Sequence, residues 1–67
     1  MSVATVTEIS ATSDTSFEDA VRQGVARATK TLRGVKSAWV KEQRVRIEGT
    51  SVAQWQVNLL ITFELED

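Results

Sequence analysis

The chain has no cysteine, histidine or proline, and its 67 residues include only two tryptophans and two phenylalanines. Each absence excludes something. Without cysteine there is no disulfide-stapled miniprotein. Without cysteine or histidine there is no zinc finger, thiol nucleophile, Ser-His-Asp triad or haem ligation by those side chains. An excess of positive charge is also missing: 8 basic against 9 acidic residues give a net charge of −1, with an isoelectric point near 5.3. Nucleic-acid binders usually carry a basic excess, so no nucleic-acid partner is expected. No apolar run approaches the ~20 residues that span a bilayer, and Met1–Ile9 lacks the basic start and apolar middle of a signal peptide. No membrane partner is therefore expected, and the expected location is cytoplasmic.

Size sets a thermodynamic limit on what remains. Folding a chain of this mass removes roughly 6,500 Å² from water. If ~60% of that is apolar, the gain is about 100 kcal/mol. Ordering the chain at ~1.5 kcal/mol per residue costs about the same. The terms cancel, so either an unusually efficient core or association with further copies must stabilise the fold, and association is the leading expectation.

No linker, repeat or composition shift divides residues 1–67, which read as one domain. Val3–Ser10 is rich in β-branched residues and predicts a short strand. Ala11–Ser16 reads as a small-polar loop before a helix. Thr15 with Glu18, or Ser16 with Asp19, has capping-box spacing. Phe17, Ala20, Val21, Gly24, Val25, Ala28 and Leu32 form one apolar helical stripe. Glu18 and Asp19 open that helix, and Arg27, Lys30 and Arg33 lie towards its end, as the helix dipole favours. Gly34 is the natural left-handed stop. Gly24 on the buried stripe weakens the helix relative to alanine, which predicts a close backbone approach to a sheet.

Two strands follow. In the last, Ala53, Trp55, Val57, Leu59, Ile61, Phe63 and Leu65 take the odd positions and mostly polar residues the even ones, with Leu60 the exception. That is a strand with one core face. Its span of about 43 Å far exceeds the common strand of ~5–6 residues. It must bend or reach beyond its own subunit, and the unbroken phase favours reaching. The preceding strand changes phase: Ala38 and Val40 are apolar at even positions, Val45 and Ile47 at odd ones. A bulge within Lys41–Arg44 is required, and Glu48–Gly49–Thr50–Ser51 supplies hairpin turn residues. If Val45 lies opposite Trp55 and Ile47 opposite Ala53, then Ala38 and Val40 continue the core face under the helix. Ser37 and Trp39 then share the other face with Gln56, Asn58, Leu60 and Thr62.

That second face holds the chemistry. The lone helix cannot cover an indole there, so either another subunit or a flat ligand should. Trp39 offers a stacking surface, and Gln56 a carboxamide for the edge of a heterocycle. The bland alternative makes Trp39 an interface anchor and Gln56 a polar-face residue. Glu42, Glu48 and the tail Glu64, Glu66 and Asp67 read as solvated acidic groups, although carboxylates between subunits suit a hard cation such as calcium or magnesium. No single-chain metal ligand set is assigned. Lys41, Arg44 and Arg46 read as edge-strand charges that discourage aggregation.

The first strand running into ATSDTSFEDAV, the helix continuation RQGVARATKTLRGV, the strand WVKEQRVRIEG and the final QWQVNLLITFELED together resemble the dodecins, small flavin-binding proteins, over nearly the whole chain. The resemblance implies an α+β fold of β-α-β-β order, its three-stranded antiparallel sheet partly wrapping one helix. It also implies a hollow homododecamer with riboflavin or FMN held in antiparallel pairs between subunits. The implied role is storing, buffering or sequestering flavin, without enzymatic turnover. The family's flavin glutamine falls on Gln56. Its stacking tryptophan, aligned from Thr31–Leu32–Arg33 and from Val40–Lys41–Glu42, falls on Ser37. Trp39 stands two residues on, on the same face and about 7 Å along the strand. If Trp39 does not substitute, binding should weaken ~10–100-fold, since stacking contributes roughly 0.5–1.5 kcal/mol per contact and two symmetry-related copies lose it. Some dodecin-like proteins lack the flavin tryptophan and have been associated with calcium. The alternative implied is a flavin-free shell that binds an ion or another small ligand at subunit interfaces.

Overall fold

A computed structural model describes residues 2–65. Four elements follow one another: β1 (Ala4–Ser13), α1 (Phe17–Thr31), β2 (Val35–Glu48) and β3 (Ser51–Glu64). The strands form one antiparallel sheet in the order β1-β3-β2, with α1 on one face. This is the expected β-α-β-β architecture. Its core is small. Ala20 and Ala28 of the helix meet Val57, Leu59 and Ile61 of the middle strand, and Ile9, Ala11, Phe17, Val21, Val25, Leu32 and Val35 close around them.

The helix begins as one of the two predicted frames requires. Ser16 is the N-cap, and its hydroxyl accepts the Asp19 amide at 3.0 Å. Thr15 is not the cap, and Glu18 instead pairs with Arg22 one turn on. Nor does Asp19 return a bond to the cap. Ser13, at the end of β1, takes that place: its hydroxyl accepts the Ser16 amide at 3.4 Å and the Thr15 amide at 2.9 Å, and donates to Asp19 Oδ2 at 2.6 Å. The Ser13 bond, then that of Gln23 and the nearby Arg22 charge, hold the Asp19 carboxyl below its ordinary value against a small desolvation penalty. The strand that supplies Ser13 runs three residues past the predicted Ser10. Ala11, Thr12 and Ser13 pair with Val57, Gln56 and Trp55 rather than looping.

Both structural glycines have steric reasons. A Cβ on Gly24 would stand 2.9 Å from Leu59 Cδ1 and 3.3 Å from Ala11 Cβ, so the helix lies close on the sheet as expected. Gly34 has φ +72°, and a Cβ there would stand 2.9 Å from the Glu64 carbonyl oxygen. Leu32 caps the helix, two residues before that glycine. Gly34 therefore serves the entry to β2, where its carbonyl accepts the Glu64 amide at 3.0 Å.

Register confirms most of the predicted faces and corrects three details. Val45 lies opposite Trp55, and the required bulge leaves Lys41 unpaired between Val40 and Glu42. A second shift sets Lys36 out of register. A third, between Arg46 and Ile47, leaves Ala53 over, so that Ile47 faces Val52 instead. The core phase of β3 thus breaks near its start. Ala38 and Val40 do lie on the core face, opposite Ile61 and Leu59. They remain exposed, however, because α1 rests mainly over β1 and β3. The hairpin is extended, and the molecule measures 52 × 19 × 13 Å. Its two-residue turn, Gly49–Thr50, has φ +62° at Gly49, the first central position where a tight hairpin favours glycine.

Candidate functional site

Because β3 is central, its even-numbered residues have neighbours on both sides, on the face turned away from α1. Four rows result. Thr62 lies between Val6 and Ser37, Leu60 between Glu8 and Trp39, Asn58 between Ser10 and Glu42, and Gln56 between Thr12 and Arg44. Ser37, Trp39 and Gln56 therefore share one face, as the sequence predicted. Trp39 is 70% exposed, with only the Leu60 row beneath it.

The structure does not bring all three together. Four positions of β3 separate the Leu60 row from the Gln56 row, about 13 Å along the strand. A small flat ligand that stacks on Trp39 lies a long way from Gln56 of the same chain. The two side chains serve one ligand more readily when they come from different chains.

Three polar links that the sequence did not reveal cross the face between these ends. Gln56 Nε2 donates to Ser10 Oγ at 2.8 Å, and Asn58 Nδ2 donates to Glu42 Oε1 at 3.0 Å. Lys41, set free by its bulge, reaches over the middle strand to Glu8 Oε1 at 3.2 Å. The phase break at residues 41–44 was the available signal, since it turns Lys41 towards the face of Trp39. Asn58 Oδ1 is buried and has no hydrogen-bond partner among the described residues. Lys41 is thus more than an edge charge, whereas Arg46 stays beside Glu48 at 3.7 Å.

An exposed indole offers the π-face, and the Gln56 carbonyl oxygen makes no hydrogen bond among the described residues. Among those residues, no three acidic side chains converge on one point. Glu66 and Asp67, the last two of the acidic tail, lie outside the described residues. No described helix is long and apolar enough to cross a membrane. On the helix side, a groove of about 710 Å³ runs between α1 and the free edge of β1, on the other side of the sheet from Trp39.

One helix and a three-stranded antiparallel sheet in β-α-β-β order, with an exposed tryptophan on the face away from the helix, define a small α+β class. Comparison with known proteins makes the family specific. The Dodecin family model matches residues 3–66. A dodecin of Thermus thermophilus is 40% identical over 60 residues, covering 90% of this chain and 87% of that protein. The dodecin structure from Streptomyces coelicolor superposes with a TM-score of 0.91 at 41% identity, over 98% of this chain and 94% of that one. The Streptomyces davaonensis dodecin gives 0.91 at 32% identity, over 98% and 97%. The chain belongs to the dodecin family.

Proposed function

We propose that this protein is a dodecameric flavin-binding protein that stores, buffers or sequesters riboflavin or FMN without turning it over. The observation that carries the reading is Trp39, an indole 70% exposed on a sheet face that the chain's own helix cannot reach. Trp39 is the stacking residue, displaced two positions from Ser37, and Gln56 of a neighbouring chain supplies the hydrogen bonds to the ring edge. Ser37, small and set beside the Lys36 bulge, leaves room next to the indole for the ligand's periphery. A bound flavin would bring a long-wavelength chromophore whose excited state a stacked indole quenches. The protein's part is to position that indole and exclude water around it.

Titrating the protein into riboflavin or FMN should quench flavin emission at micromolar protein. Unchanged emission would sink the reading. The same exposure of Trp39 supports a second reading, a flavin-free shell that holds an ion or another small ligand, with the indole as an interface anchor. Replacement Trp39→Ala separates them. The flavin reading expects an intact oligomer with quenching weakened at least tenfold. The shell reading expects loss of assembly by light scattering.

A further inference from the structure

We infer that Ser10, on β1, is a positioning residue of the proposed site. Its hydroxyl sets the Gln56 carboxamide so that one oxygen and one N–H face a ligand with an imide edge, an N–H beside a carbonyl. The inference rests on the flavin reading and adds to it a residue that touches no ligand.

Gln56 stands on the middle strand between Thr12 and Arg44. A glutamine there can turn towards either edge strand, and the two choices have opposite consequences. The Arg44 guanidinium has only donors, so it would occupy the carbonyl oxygen of the amide. A serine hydroxyl can accept, and so occupies an N–H instead. The structure records the second arrangement: Gln56 Nε2 donates to Ser10 Oγ at 2.8 Å. Ser10 lies opposite Asn58, in the row between that of Gln56 and that of Leu60 and Trp39. The bond therefore draws the amide out of its own row, away from Arg44 and towards the row of the indole.

A primary amide carries one acceptor oxygen and two N–H donors. With one N–H given to Ser10, an adjacent acceptor and donor are left, and these pair with an imide edge. A flavin has such an edge on its pyrimidine ring, where N3–H lies between two carbonyls. Gln56 is half-buried, and without Ser10 its side chain would have to be ordered by the ligand. Immobilising a rotamer-rich side chain costs affinity, and a partner that holds it beforehand removes that cost. Ser10 itself is exposed, so losing its hydroxyl should leave the fold intact.

Wild type, Ser10→Ala and Ser10→Thr would each be titrated into riboflavin and into N3-methylriboflavin, following flavin emission. Ser10→Ala should bind riboflavin about three- to tenfold more weakly, the range expected for one side chain that is no longer held in advance. Ser10→Thr keeps the hydroxyl and should restore the wild-type affinity. Towards N3-methylriboflavin, which has no N–H for the Gln56 oxygen to accept, wild type and Ser10→Ala should bind alike. Light scattering should give the same mass for all three proteins. Riboflavin affinity unchanged in Ser10→Ala would overturn the inference. So would equal weakening towards both ligands, failure of Ser10→Thr to restore binding, or a changed mass for Ser10→Ala, each of which makes the effect structural. Quenching by wild type with no effect of Ser10→Ala removes this inference alone, whereas no quenching by wild type removes the flavin reading and Ser10's role together.

Discussion

Towards the helix, β3 presents Val57, Leu59 and Ile61, all fully buried; one residue out of step, it presents Gln56, Asn58, Leu60 and Thr62 on a face the helix never touches. The first face is dry and held by packing. The second is held by cross-strand polar links with Ser10, Glu42, Glu8 and Lys41, each at ordinary hydrogen-bond distance. Burial of apolar area stabilises in proportion to what water loses, whereas exposed polar pairs contribute little net because water competes for them. The helix-facing side should therefore carry stability, and the opposite side should carry recognition.

Leu59→Ala is the strongest way to break that comparison. Its side chain is fully buried under Gly24. Truncation should cost about 2–5 kcal/mol in urea unfolding, from lost transfer energy and the cavity left behind. A cost below ~1 kcal/mol would mean that the dry face is not what holds the subunit together.

Gly24→Val should follow, at about 1–3 kcal/mol. The new side chain would press on Leu59 Cδ1, which can move, and on Ala11 Cβ, which is fixed to the backbone of β1. Ala26→Val, at an exposed position of the same helix, supplies the control. It should cost only the β-branched propensity difference, within ~0.7 kcal/mol. Equal costs at the two sites would remove the argument for close helix–sheet contact.

Much of this contrast was legible in the sequence, for reasons that differ by residue. Alternation from Trp55 to Phe63, broken only by Leu60, assigned both faces of β3, and the phase conflict between Val40 and Val45 required a bulge within Lys41–Arg44. Those patterns are written in apolar and polar types, and burial enforces them. The bulge at Ala53 was invisible, because Val52 is as apolar as Ala53 and either can face the core. The end of β1 was equally hidden. Ala11, Thr12 and Ser13 suit a strand or a loop, and pairing with Trp55–Val57 decides between them. For the candidate site, the sequence put Ser37, Trp39 and Gln56 on one face. It did not reveal the 3.2 Å link from Lys41 to Glu8 that crosses the sheet beside Trp39, since pairing across two strand boundaries depends on both registers at once.

The smallest effect tests the second face directly. Lys41 and Glu8 are 33 residues apart in sequence and meet over the middle strand. Their side chains remain 48% and 44% exposed. An ion pair this open gains modest Coulomb energy, loses side-chain entropy and is screened by salt, so Lys41→Gln should cost only about 0.2–1 kcal/mol. The gap between wild type and variant should close near 1 M salt, where charges are screened within ~3 Å. Urea unfolding at low and high salt measures both quantities. A larger loss that ignores salt would mean that Lys41 acts through its aliphatic stem, packed across Leu60 beside Trp39. In that case the second face would carry part of the core's work, and the division between a stabilising face and a recognising face would fail at the row where the indole stands.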